Sequence, residues 1–378
     1  MGELGLRRGR VDLRSAGPIT FGPAGILFLA DNAAATVLAV DVADPGPAGG
    51  SEPFDLADVD ARVGSFLGCE PADVVIKDMA VHPQSHNVYL SVQRGHGAAA
   101  QAVLMRISRL DGSVTDVPLE DVPVAAAAIG DAPAEDDERL DITLPLGDEG
   151  EELQVGERKI RILRRPIRTS TVTDMAYVDG TLLIAGLSNE EFSSRLRRIP
   201  FPFRAGVTGS SLEIFHVSHG KWETAAPIRA FVPYDGGASI LASYTCTPVV
   251  HFPLADLTDG AKAVGRTVAE LGAVNQPLDM VSFDQDGRAR PLDRHRVADA
   301  VQEREARHEA EVGPVSFQPP GHRRQTARVG GRSRKHPHVR SGGQARQPDA
   351  VTATATARPD DLGHCGCYRD AVFRERRC

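Results

Sequence analysis

A short phrase recurs along this chain and narrows what it can fold into. Asp78-Met79-Ala80-Val81 is followed by a turn and the apolar run Val88-Tyr89-Leu90. Asp174-Met175-Ala176-Tyr177 is followed by Asp179-Gly180 and Leu182-Leu183-Ile184-Ala185. Asp279-Met280-Val281-Ser282-Phe283 is followed by Asp286-Gly287, and no apolar second run comes next. The pattern is therefore expected to break off in mid-hairpin. A repeated strand, tight turn and strand marks a β-repeat architecture. The sequence alone does not say what the protein does.

Two segments fit the phrase more loosely. Ile19-Thr20-Phe21 leads through Gly22-Pro23-Ala24-Gly25 into Ile26-Leu27-Phe28-Leu29-Ala30, and Thr247-Pro248-Val249-Val250-His251-Phe252 reads as another first strand. Strands buried on both faces read as continuous apolar runs, so 26–30 and 182–185 are expected between neighbouring sheets. The intervals Asp78–Asp174 and Asp174–Asp279 are 96 and 105 residues. A four-stranded propeller blade takes roughly 40–50 residues, so each interval has room for two.

The segments Ile19 to Asn32, Asp78 to Val92 and Asp174 to Leu187 resemble β-propeller repeat proteins of the NHL and YVTN type. The resemblance implies an all-β propeller over residues 17–288, with six or seven blades when intact and incomplete in this chain. Residues 1–16 form an N-terminal lead. Propellers host hydrolases, lyases, redox enzymes and pure binding platforms, so the fold names no activity.

In a propeller the first strand of each blade lines the central channel. Asp78, Asp174 and Asp279 would then face one another, and such a ring can hold a hard cation such as Ca2+. Crowded carboxylates otherwise repel, and one keeps its proton. The competing reading is that each Asp accepts a local backbone hydrogen bond at its strand's start. Some propeller lactonases carry a channel metal on Glu, Asn and Asp. Asp31, Asn32, Asn189 and Glu190 are side chains of those types, placed just after the apolar runs, where a cation would polarise a carbonyl and activate water. Asn189, Glu190 and Arg195, on a polar loop leaving a core strand, are the candidate ligand-binding residues. His216 and His219 share a ligand only if Ser218 starts a turn; otherwise they mark a surface hairpin.

Residues 120–170 read as a charged insertion. An acidic stretch around Glu135-Asp136-Asp137-Glu138 precedes Arg158-Lys159-Ile160-Arg161-Ile162-Leu163-Arg164-Arg165, and opposite charges are expected to pair on its surface. The alternative is a mobile lid or docking arm. Pro200 and Pro202 exclude a regular central strand across them, and Phe201 and Phe203 are expected to plug that loop onto the body.

From residue 289 the composition changes. The last 90 residues hold 18 Lys and Arg against 11 Asp and Glu, no Ile or Met, and only Leu292 and Leu362. Such a segment buries too little apolar surface to order itself, so disorder is expected. Three readings stand open: a basic arm, a solvated extension, or a stretch translated from the wrong frame of a GC-rich gene, since Arg outnumbers Lys 38 to 5. The arm has no Phe, Tyr or Trp between His322 and Arg340 to stack on bases, which makes a nucleic-acid partner a weak expectation. Without strands from the tail, the body is expected to keep an open apolar edge. Five Cys, two of them in the body, make no disulfide framework. Cys365-Gly366-Cys367 beside His364 is short of a four-ligand zinc site. No secretory leader or membrane span is read, so the cytoplasm is the default compartment. The leading expectation is a platform for a small molecule or protein at the channel mouth; the alternative is a metal-dependent hydrolase of the lactonase type.

Overall fold

Three short strands, Ile19–Phe21, Ile26–Asp31 and Thr36–Asp41, open the first sheet, and what completes it comes from far along the chain. The computed structural model describes residues 4–44, 46, 54–145, 150–155, 158–216, 220–245, 248–270, 275–285, 288–297, 315–318 and 326–329. The chain divides into Met1–Gly331 and Arg332–Cys378, and the second unit lies wholly outside the described residues. In order, β1 is Arg7–Gly9, β2 Ile19–Phe21, β3 Ile26–Asp31, β4 Thr36–Asp41 and β5 Phe54–Leu56. Helix α1 spans Val59–Leu67 and ends on Gly68, whose φ of 66° is the left-handed turn that suits a glycine.

The second sheet is an antiparallel meander of β6 (Val74–Val81), β7 (Val88–Arg94), β8 (Gln101–Ile107) and β9 (Val114–Asp116). Next, β10 (Val122–Ala128) returns to the first sheet and pairs with β4 from Val40 to Thr36. Strand β1 adds to its outer side, so the N-terminal lead is part of the sheet. The segment read as an insertion thus begins with a blade strand. Its remainder, β11 (Leu140–Thr143), β12 (Glu151–Val155) and β13 (Arg158–Pro166), forms a separate three-stranded sheet. Arg164 pairs with Glu151 at 2.5 Å, and Arg161 with Glu152 at 3.6 Å, on exposed surface, where such pairs contribute about 0–1 kcal/mol.

The third sheet runs β14 (Asp174–Val178), β15 (Thr181–Leu187), β16 (Ser194–Pro200) and β17 (Thr208–His216), with β18 (Lys221–Glu223) closing a hairpin on β17. The fourth is β19 (Ile228–Tyr234), β20 (Ser239–Tyr244) and β21 (Pro248–Pro253); β22 (Lys262–Val264) crosses to pair parallel with β17, and β23 (Arg266–Glu270) completes the sheet. Pro248–Pro253 is therefore a third strand rather than a first. The first strand is β19, which lacks the Asp-Met phrase and carries Pro233, and so was illegible as one. The fifth sheet is the hairpin β24 (Asn275–Gln285) and β25 (Arg288–Val297).

Strands β2, β6, β14, β19 and β24 stand side by side in the order β6, β2, β14, β19, β24. Sheets radiating from a ring of inner strands are a β-propeller, and this all-β body is one. The described residues give four blades of at least four strands, the first and third with strands added, and a two-stranded fifth. The interval Asp78–Asp174 holds the rest of one blade, the strand returned to the first sheet and the insertion, not two blades.

Apolar faces pack blade against blade. Phe28, Val37 and Ala39 of the first sheet meet Met175, Leu182, Ile184 and Ile199 of the third. Leu27, Leu29 and Val40 meet Tyr89 and Leu104 of the second, and Leu183 and Leu196 of the third meet Ile240 and Val250 of the fourth. Phe28 is fully buried because β3 has a blade on each side. Phe201 plugs the loop after β16 edge-on against Phe28, ring centroids 5.0 Å apart.

Two expectations about the end of the body are corrected. The hairpin does not break off after Gly287: Arg288–Val297 pairs with β24 along its length. Backbone hydrogen bonding needs no apolar side chains, and Arg and Asp suit a strand at a sheet edge. Nor is the far face of the second sheet bare. Val59 and Val63 of α1 and Leu56 of β5 cover Leu90, Val92 and Met105. Strand β5 is itself paired by β26 (Val315–Gln318), which pairs β27 (Thr326–Val329), so tail residues contribute strands. The other readings of the tail, including the Cys365–Cys367 motif, lie outside the described residues.

Candidate functional site

The first two acids of the repeated phrase occupy equivalent places. Asp78 Oδ1 accepts the N–H of Met79 at 2.7 Å, and its Oδ2 reaches to the next blade to accept the N–H of Ile19 at 2.7 Å. Asp174 does the same with Met175 at 2.7 Å and Phe231 at 2.6 Å. Asp279 Oδ1 accepts the N–H of Met280 at 2.7 Å, and Asp279 is the most exposed of the three. The repeated phrase begins each time with an acid, and in Asp78 and Asp174 that acid stitches its blade to the neighbour. Asp78 and Asp174 are half-buried.

The three charges feel one another across blades. Burial, then repulsion from Asp279, pushes the Asp78 carboxyl up to about 7, although two amides pull it down. Burial, then repulsion from Asp78 and Asp279, holds Asp174 well above the carboxylate range. Three blades thus bring their acids towards one axis. Among the described residues, no group of three or more His, Cys, Asp or Glu is drawn together as a metal shell.

This geometry fixes a pH dependence. Asp78 is more basic folded than unfolded, where a carboxyl titrates near 3.9. Above pH ~4 the unfolded chain loses that proton first, so the folded state is progressively penalised until pH ~7. Buried His82 and half-buried His251, held below the usual imidazole range by desolvation, work in the opposite sense at acid pH. The comparison with Asp78→Asn isolates the carboxyl: the wild-type melting temperature relative to that variant should fall as pH rises from 5 to 8. Parallel curves for the two proteins would exclude a shifted Asp78.

The other candidate residues meet at the rim, where β15 leaves the core. Gly186 lets that strand pass the preceding turn; a Cβ there would lie 2.0 Å from the Thr171 carbonyl oxygen. Asn189 donates its N–H to the Asp131 carbonyl at 2.8 Å. Arg195 Nη1 donates to Glu190 at 3.0 Å and to Ser211 at 3.1 Å, and its Nε lies 2.9 Å from Asp131 Oδ2 without hydrogen-bond alignment. Arg139 donates to the carbonyls of Asn189 and Glu190. Asn189, Glu190 and Arg195 are thus brought together, with Glu190 and Asn189 outward-facing.

Sequence reasoning missed the group that organises them. Arg197 is fully buried and donates to Asp131 at 2.6 Å, to the Thr171 carbonyl at 2.9 Å and to the Leu187 carbonyl at 2.8 Å. In the sequence it is one Arg among several. The signal was strand geometry alone: successive side chains of β16 point to opposite faces, which puts Arg197 on the face opposite Leu196.

Asp31 and Asn32 are structural here. Asp31 accepts the N–H groups of Arg14 and Ala34 and the Ser15 hydroxyl. Asn32 is saturated by backbone: its amide donates to the Thr169 and Val172 carbonyls and accepts the Val172 N–H at 2.8 Å. Neither is directed at a shared cation. His216 is buried in the β17–β18 hairpin and bonds Glu223 at 2.6 Å, which, with Lys221, holds the Glu223 carboxyl down at about 2. His219 lies outside the described residues.

No family model matches the chain, and no curated protein matches it. Solved structures similar to it include the PQQ-bound aldose sugar dehydrogenase of Streptomyces coelicolor (13% identity, 76% of this chain and 96% of that one, TM-score 0.25). Another is a streptogramin B lyase (14% identity, 83% of this chain and 94% of that one, TM-score 0.17). At these scores neither informs the site, and the propeller rests on the sheets themselves. Among the described residues, no helix is long and apolar enough to cross a membrane.

Proposed function

We propose that the protein is a binding platform that takes a cationic ligand in the propeller channel, with Asp78, Asp174 and Asp279 as the acidic lining. The observation that supports it is the mutual repulsion of three acids from three blades, which a bound positive charge would relieve. Each carboxylate oxygen has a second lone pair beyond the amide it already accepts, so a donor can be added without breaking the stitches. The acids are not drawn in as a metal shell, which favours an organic ammonium over a bare ion. Asn189, Glu190 and Arg195 form a polar rim that can select what reaches the blades.

Titration calorimetry with spermidine and with calcium chloride tests this at pH 6 and pH 8. Spermidine affinity should rise with pH as Asp78 gives up its proton near 7 and should drop in Asp78→Asn. No binding, or binding indifferent to both pH and Asp78→Asn, overturns the reading. Stoichiometric calcium together with lactone turnover that chelation abolishes would establish the hydrolase instead.

A further inference from the structure

On the outer edge of the first blade, β1 stops short of β10. Arg7, Arg8 and Gly9 pair with Val124, Pro123 and Val122, while β10 continues to Ala128. Past Val124 no strand among the described residues pairs with that side of β10, so its edge opens where the chain turns away at Gly5, whose φ is 70°. The loop after β16 folds over the notch. The result is a pocket of about 340 Å3, lined by Gly5, Val124, Ala125, Ala126, Pro202 and Phe203, with Arg7 and Arg204 beside them. That volume sits at the lower end of the range for small-molecule pockets, about 300–1,000 Å3.

The charges on and just after β1 are not distributed alike. Arg8 is engaged by Asp121 at 2.9 Å and Arg10 approaches Glu120 at 3.8 Å. Arg7 has no ion-pair partner among the described residues, and it is the one that lines the pocket. Arg204 keeps other contacts, but a guanidinium has five donors and can share them. Two guanidiniums beside an apolar wall and an open strand edge suit a carboxylate on a compact apolar body: the head takes charge-assisted hydrogen bonds, and the body packs on Phe203 and Pro202.

We infer that this notch is a second binding site, independent of the channel, for a small organic carboxylate with an aromatic or branched apolar body. Its attraction is local, since the chain as a whole carries a net charge of −8.

The test is 19F NMR of the full chain with 4-fluorobenzoate, using 4-fluorobenzyl alcohol as the neutral control and inorganic phosphate as competitor. Expected is saturable binding of the carboxylate, with Arg7→Ala and Arg204→Ala each weakening it about tenfold, the size of one charge-assisted hydrogen bond. The alcohol should bind far more weakly, and phosphate should compete poorly because it gains nothing from the apolar wall. Arg7 is exposed on an edge strand, so Arg7→Ala should keep the wild-type melting temperature. Asp174→Asn should leave this binding unchanged. No binding, equal binding of the alcohol, or affinity unaffected by both Arg variants overturns the site. Phosphate competing as well as the carboxylate overturns the apolar half of the specificity.

Discussion

Arg197→Leu should destabilise the protein by about 3–5 kcal/mol, the loss typical of breaking a buried charged pair by removing one partner. Burial lowers the basicity of Arg197, but Asp131 opposes that, and a guanidinium does not deprotonate in a protein. Leucine fills part of the volume and leaves the carbonyls of Thr171 and Leu187 without their donor. Asp131 keeps Arg195 2.9 Å away, so the largest share of the loss falls on the carbonyls. Arg197→Lys should cost less than leucine but remain damaging, because a single ammonium cannot span three acceptors on a planar fork. Urea unfolding reads the effect as a lower midpoint at unchanged slope. A loss below about 1 kcal/mol for leucine would show that the network carries no weight.

Asp141→Leu should lose a similar amount, about 3–5 kcal/mol, while Asp141→Leu with Arg229→Met should lose much less than either single change. Arg229 binds Asp141 in a two-pronged pair at 2.8 and 2.6 Å, and Ser170 donates to the same carboxylate at 2.5 Å. Both side chains are nearly buried, at 5% and 9% exposure. Removing Asp141 strands a buried cation whose other partners among the described residues are Thr245 and the Ile142 carbonyl. The pair joins β11 to β19, so it is the clasp holding the three-stranded insertion on the fourth blade. A double-mutant cycle gives the coupling, and hydrogen exchange in β11–β13 should accelerate in the single variants before the blades loosen. Additive single effects, with the insertion as protected as in wild type, would remove the clasp from the account.

The propeller was legible because its logic is local. Asp-Met followed by a turn and a continuous apolar run identified β6–β7 and β14–β15, since an inner strand must offer both a stitch to its neighbour and a buried partner strand. Ile228–Tyr234 does the same structural work without the acid; it donates the Phe231 N–H to Asp174 rather than supplying a carboxylate of its own, and so left no mark. The second outer strand of the first blade, 122–128, is an Ala-rich stretch inside an acidic neighbourhood, and only its pairing with Thr36–Val40 reveals it. The recurring acids Asp78, Asp174 and Asp279 could be named from sequence, but not that two of them spend both oxygens on amides. That depends on how near the next blade comes. That Asn189, Glu190 and Arg195 come together was legible from their position on a polar loop after a core strand. Asp131 and Arg197, which hold them, are 66 residues apart and meet only in three dimensions.

The return of β10 to the first blade has a temporal consequence. As the chain leaves the ribosome, β2, β3 and β4 emerge together but wait for their fourth strand until all of β6–β9 has been made. The second blade must therefore assemble beside an unfinished neighbour whose Leu38–Val40 edge is still unpaired. During that interval the nascent chain is exposed to partners that would compete for the edge, and its yield should depend on how quickly residues 42–128 are translated.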